Sequence, residues 1–389
     1  MEALGLTALG PASAPEIIPD TEIPAGSDRE LVSRLGIVRR NFTIARSATS
    51  MVRIEAVEIT WSQLTQWIKN EYLGYDLSSV ADFKPVDGCP RVPAWDEKSS
   101  QSSPQPRVTL NKTLKEKVLD RSLVDAALYA GTYGLKIERG FGEALCRATW
   151  PAGSINARGA GRGNRCIWPK IGEVPDQGYV FVTHSLGSRL TYDTLLALAT
   201  PTKRDGVKVF EDDADRGCFV NHLMARTPII YMMANQLPFL GLANAPANAS
   251  PGDSQVPFIA LPRVVHPADL ADASSKPSAD ASPALGQEIK AFASLRSDGE
   301  CGHAKGALSV VAFSDPNDLL SFGIPSWYVA DGGERSVAVK VTNVYVNNSP
   351  RILGLYESVP AAHADYFSNP DVWKVMKCGA VGGVVRSCL

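Results

Sequence analysis

The chain has no apolar run of about eighteen residues, which excludes a helix that spans a membrane. It has no excess of one charge either. With 39 Lys and Arg against 41 Asp and Glu, the formal charge is -2. The concentrated basic surface that phosphate backbones require is therefore missing, and no nucleic-acid partner is expected. The nearest basic stretch, "NARGAGRGNRC" (156–166), reads as a solvated loop loosened by glycine. It lacks the Lys and the Ser or Thr of a phosphate-cradling loop, so no nucleotide cofactor is expected. Seven cysteines occur without any C-x-x-C pair, which excludes the common zinc spacings, and no metal is expected. One or two disulfides are open, Cys378 with Cys388 among them, because pairing follows spatial proximity. The absence of internal repeats removes solenoids and propellers. The opening "MEALGLTALGPASAPEIIP" lacks a basic region before a sustained apolar one. A cytoplasmic location is expected for the chain as written, with export the alternative if its amino terminus is truncated.

What is present is the composition of a folded α/β protein: 44% apolar and 21% charged residues over 389 positions. Such a length fits one large sheet with its helices, so a single domain over 1–389 is expected. Residues 1–28, rich in Pro, Ala and Gly, read as a flexible leading segment. "SDRELVSRLGI" carries a helix-start signal at Ser27 or Asp28, with Leu31, Leu35 and Ile37 on one face. Ser50 to Trp61 alternates with a period of two and predicts a strand. Leu64, Trp67, Ile68 and Tyr72 recur at helical spacing. The pattern from Val108 to Cys146 is helical, with Leu114, Val118, Leu119, Leu123 and Ala126 on one face. Four short, mostly apolar runs follow: Tyr179 to Thr183, within Thr227 to Pro238, Ala307 to Asp315, and Arg335 to Val346. The first reads as a central strand buried on both sides. The intervals between them are long enough for crossover helices, the pattern of a mostly parallel sheet. An Ala-, Pro- and Ser-rich stretch over 235–306 reads as an insertion, either a lid over a site or a disordered segment.

The first of these runs ends in "VTHSLGSRLTYDTL". A serine hydroxyl is a weak nucleophile, and it needs a base in reach and an acid that orients that base. When the serine sits on a tight strand-to-helix turn, small residues are needed around it. Gly187 and Ser188 meet that need, whereas Thr183 is bulkier. Five histidines are present. In the order Ser, acid, His, the eligible base is His363 in "VPAAHADYFSNPDVW". For the acid, "AFSDPNDLLSFGIP" offers two residues. Asp315 opens a turn before Pro316, while Asp318 lies further past the strand end and is preferred. In "MMANQLPFLGL", residues Met232, Met233, Leu237, Phe239 and Leu240 either line an acyl pocket or pack in the core.

Together, "VTHSLGSRLTYDTL", "NDLLSFGIP" and "HADYFSNPDVW" resemble the α/β-hydrolase fold of serine esterases and lipases, from Tyr179 to the carboxyl terminus. The likeness is greatest to lipases with a THSLGG-type elbow, an N-D-apolar-apolar segment ending in proline, and a histidine shortly before an aromatic residue. That resemblance implies an α/β-hydrolase fold in which Ser185 is the nucleophile, Asp318 the acid and His363 the base. The expected partner is a small-molecule or lipid ester, with no cofactor and no predicted oligomeric state. The family stabilises its oxyanion with two backbone N–H groups, one of which falls on Leu186 here. The second commonly lies in a His-Gly loop, and this chain has no His-Gly pair. A protein of this fold that binds without catalysing is therefore the alternative expectation.

Overall fold

In the computed structural model, the described residues are 2–19, 34–47, 49–61, 64–65, 68–69, 123–152, 154, 165–174, 177–200, 202–204, 206–211, 213–241, 295–296, 301, 307–324, 339–350, 357–381 and 384–385. The chain opens with β1 (Thr7–Ala8), β2 (Glu16–Pro19), β3 (Arg34–Ser47) and β4 (Ser50–Thr60). It continues through α1 (Val124–Ala130), α2 (Gly134–Thr149), β5 (Val180–His184) and α3 (Leu186–Ala199). A small ribbon, β6 (Lys203–Arg204) and β7 (Val207–Lys208), precedes α4 (Ala214–Ala225), β8 (Ile229–Met233) and α5 (Leu237–Gly241). The last elements are β9 (Leu308–Ser314), β10 (Val339–Tyr345), α6 (Val359–Ala364), α7 (Pro370–Cys378), β11 (Ala380–Val381) and β12 (Val384–Val385).

Two sheets result. In the first, β1, β2 and β4 all pair antiparallel with the long β3. In the second, β5, β8, β9 and β10 lie side by side in chain order, and every pairing is parallel. This is the parallel α/β sheet expected from the four apolar runs. Alternation along the strands divides its core into two layers. Ile230, Met232, Leu308, Val310 and Ala312 pack with Leu195 and Leu198 of α3 and Phe219 and Leu223 of α4. Tyr231, Met233, Val311 and Phe313 pack on the other side with Tyr366 and with Val372 and Val375 of α7.

Several expectations are corrected. Leu35 and Ile37 lie on β3, not on a helix. Both are buried, as every second residue of a strand with one covered face should be, beside Ile18, Leu64 and Ala144. The capping signal at Ser27 and Asp28 lies outside the described residues. Within the segment expected to be flexible, Thr7–Ala8 and Glu16–Pro19 are strands on the edge of β3. β5 is not buried on both sides: Val180 and Val182 are 55% and 42% exposed, and the strand ends the described parallel sheet. The helical stretch before Cys146 is two helices, α1 and α2, parted at Gly131. Leu114, Val118 and Leu119 lie outside the described residues, as do Trp67 and Tyr72. So does most of 156–166 and most of the insertion over 235–306. Met232, Met233, Leu237 and Leu240 are core residues, whereas Phe239 stacks on Phe322 with ring centroids 5.9 Å apart.

Two disulfides, Cys146–Cys166 and Cys218–Cys301, tie helices α2 and α4 to distant segments. Cys378 is disulfide-bonded as well, and its expected partner Cys388 lies outside the described residues. Arg39 of β3 reaches the carbonyls of Arg147 (2.8 Å) and Ala148 (3.4 Å) at the end of α2. A cation at a helix carboxyl end is favourable there and holds the antiparallel sheet to α2. No helix among the described residues is long and apolar enough to cross a membrane.

Candidate active site

β5 leads directly into α3 with one residue, Ser185, between them. That residue has φ 54° and ψ -131°, a conformation that side-chain-bearing residues rarely adopt. Such strain costs on the order of 1–3 kcal/mol and persists where the surroundings over-determine it. Here the Ser185 N–H donates to the Met233 carbonyl at 2.9 Å, and the Ser185 carbonyl accepts from Ser188 N–H at 3.0 Å. The turn is thus tied to β8 on one side and to α3 on the other.

The small residues around the turn act differently from expectation. A Cβ built on Gly187 meets no described atom within 4 Å, so this glycine is not required for a close approach. Ser188 is the residue buried between helix and strand. Its hydroxyl lies 3.0 Å from Thr183 Oγ1, which also donates to the Tyr231 carbonyl at 3.3 Å. The bulk of Thr183 is accommodated because its hydroxyl is used.

The structure brings the three residues singled out from the sequence into one line. Ser185 Oγ lies 2.9 Å from His363 Nε2. His363 Nδ1 lies 2.9 Å from Asp318 Oδ1 and 3.0 Å from Oδ2. His363 is carried by the short helix α6, whose start is capped by the Ser358 hydroxyl accepting from Ala361 N–H. Asp318 stands at the end of a turn after β9 whose shape is set by Asp315. One oxygen of Asp315 accepts Asn317 N–H at 2.9 Å, and the other accepts Asn348 N–H from beyond β10 at 2.7 Å. Asp315 therefore builds the turn, and Asp318 is the carboxylate that faces the imidazole.

Further groups hold that carboxylate. Leu320 N–H donates to Asp318 Oδ1 at 3.0 Å, and the Tyr366 hydroxyl donates to Oδ2 at 3.2 Å. Tyr366 Oη in turn accepts Asp315 N–H at 2.7 Å. Burial, and next the charge of Asp318, push the Tyr366 phenol well above its ordinary range, so it stays a neutral donor. With Asp318 accepting the Nδ1 proton, His363 Nε2 presents its lone pair to Ser185.

His184 packs edge-on to the His363 ring, with ring centroids 5.4 Å apart. Its Nε2 lies 2.9 Å from the His363 carbonyl, an acceptor only, so that nitrogen carries the proton. Burial, and secondly the neighbouring His363, push His184 down to about 4, which leaves it neutral at pH 7. Leu186 is the first residue of α3, and its N–H therefore has no acceptor within the helix.

His184, Gln236 and Tyr366 belong to this site and were not found by sequence reasoning. Tyr366 had a usable signal, since it lies one helical turn after His363 in "HADYF". Gln236 had none, because an Asn-Gln pair after an apolar strand has no characteristic spacing to the serine. The Gln236 side chain donates to Ser185 Oγ at 2.9 Å. Among the described residues, no cluster of His, Cys, Asp and Glu is arranged to hold a metal ion. No protein-family model matches this chain, and no curated protein or solved structure does either.

Proposed function

We propose that this chain is a serine hydrolase of the α/β-hydrolase fold that cleaves carboxylic esters through an acyl-enzyme. The observation that carries the reading is the hydrogen-bonded line from Ser185 through His363 to Asp318, with Ser185 on a strained turn between strand and helix. The parallel order of β5, β8, β9 and β10 supports it, because each element ends at the same edge of the sheet and delivers one part of the site. In this reading His363 takes the Ser185 proton as Oγ attacks the ester carbonyl. It then returns that proton to the departing alcohol, and water repeats the cycle on the acyl group. Asp318 keeps the ring in the required tautomer and offsets its charge. The apolar side chains Leu319, next to Asp318 in the chain, and Phe367, packed on the His184 ring, are 60% and 48% exposed and favour an apolar or lipid ester over a charged one.

The disulfides bear on location. Such bonds persist in oxidising compartments, so they favour an exported protein over the cytoplasmic one expected from the opening residues.

Hydrolysis of nitrophenyl esters of increasing chain length tests the activity. Wild type should turn them over, with Ser185→Ala falling to background. Equal rates in the two would rule the reading out. Asp318→Asn should lower kcat by on the order of 10⁴-fold. Asp315→Asn should act mainly on stability.

A further inference from the structure

The site as described offers Leu186 N–H to the oxyanion, and the chain has no His-Gly loop to supply a second donor. We infer that the side-chain amide of Gln236 is that second donor. The inference rests on the ester-hydrolase reading and adds a residue to it.

Four observations converge on Gln236. Its Nε2 lies 2.9 Å from Ser185 Oγ, on the atom that forms the new bond. The residue is 1% exposed, so this amide is shielded from water. Its Oε1 is buried and has no hydrogen-bond partner among the described residues, and a half-satisfied amide is expensive to keep in a core unless it has another use. Finally, the backbone that presents it is strained and clamped. Ala234, which ends the β8 segment, has φ 49° although it carries a side chain. Asn235 Nδ2 donates to the Phe322 carbonyl at 2.8 Å, Phe322 N–H returns to the Asn235 carbonyl at 2.9 Å, and Leu237 N–H donates to Asn235 Oδ1 at 3.2 Å. Gln236 then enters α5 with its own carbonyl accepting Leu240 N–H at 3.0 Å. A second sharp turn, at the end of β8, thus aims an amide at the residue held by the first turn, at the end of β5.

The chemistry requires a donor at that place. As Ser185 Oγ attacks, its proton passes to His363 Nε2, an Oγ–carbon bond forms, and the carbonyl π pair moves onto oxygen. Oγ loses its hydroxyl character while the geminal oxygen gains a full charge. An amide nitrogen with two N–H groups, already in contact with Oγ, is placed to turn from the atom losing electron density to the atom gaining it. At rest, the same donor occupies a lone pair of Oγ and leaves the hydroxyl proton directed at His363.

The test uses the full chain with its disulfides intact, comparing wild type with Gln236→Glu, assayed at a pH where the introduced carboxyl is ionised so that the shape is kept and the donor removed, and with Gln236→Leu. The expected result is a fall in kcat of on the order of 10²- to 10³-fold, with KM changed by only a few fold. Affinity for an alkyl trifluoromethyl ketone, which forms a charged tetrahedral adduct with serine, should fall by the same factor as kcat. Gln236→Glu decides the matter if Gln236→Leu does not fold. A folded Gln236→Glu that keeps wild-type kcat and ketone affinity would overturn the inference while leaving the hydrolase reading intact. A wild type that neither hydrolyses esters nor binds the ketone would overturn both.

Discussion

At the scale of single residues, the site depends on groups whose polar atoms have few substitutes. Tyr366 is fully buried and serves three partners, accepting from Asp315 N–H, donating to Asp318 and lying 3.3 Å from the Ser321 hydroxyl. Tyr366→Phe should therefore cost about 1–3 kcal/mol of stability, since it strands a buried N–H. Urea titration with the linear extrapolation measures this, and a change within a few tenths of a kcal/mol would contradict the assigned bonds. His184 makes a pH prediction. Its folded value near 4 lies below the ordinary 6.5, so between these limits the unfolded chain binds the proton and the fold does not. Stability should be fully present above about pH 6.5 and should fall as pH is lowered towards 4. Replacement by His184→Gln should flatten that part of the profile of Tm against pH, and an unchanged slope would contradict the burial of a neutral ring.

At the scale of elements, the passage from β5 to α3 separates two residues that looked equivalent in sequence. Among the described residues, nothing lies within 4 Å of where a side chain on Gly187 would begin, whereas Ser188 is wholly buried against Thr183. Gly187→Ala should fold and gain about 0.5–1 kcal/mol from the lost freedom of glycine in the unfolded chain. Ser188→Val should lose about 1–3 kcal/mol by overfilling the contact. Thermal or chemical denaturation of both variants checks the order, and the reverse order would place the close approach at Gly187 after all. The parallel strands were legible because each is a compact apolar, β-branched run. β3 was misread because Leu31, Leu35 and Ile37 fit a helical face, while Leu35 and Ile37 fit an alternating strand equally well. What settled the matter is pairing with β2 and β4, which depends on residues distant in sequence.

At the scale of the whole molecule, two layers of apolar packing enclose the parallel sheet, and the disulfides join segments that the sheet alone would leave apart. Cys218–Cys301 closes a separation of 83 residues and Cys146–Cys166 one of 20. On chain-entropy grounds the first should contribute about 4–5 kcal/mol and the second about 3. Cys218→Ser with Cys301→Ser should therefore lower Tm more than Cys146→Ser with Cys166→Ser, and equal losses would contradict that ranking. Neither pairing could be read from spacing, since proximity is a property of the fold. The acid and base were legible for a different reason. His363 lies 178 positions after Ser185 and 45 after Asp318, yet Ser185, Asp318 and His363 each follow an apolar strand, so the order of strands carried the information. Gln236 and His184 had no such marker, and their roles depend on side-chain directions that only packing defines. The most direct test of the central claim is to treat the folded protein with a fluorophosphonate and map the adduct by mass spectrometry. A hydrolase built on Ser185, His363 and Asp318 should acquire one adduct, on Ser185, and lose it in Ser185→Ala, with His363→Ala reacting far more slowly. An unlabelled wild type, or an adduct on another serine, would contradict the account.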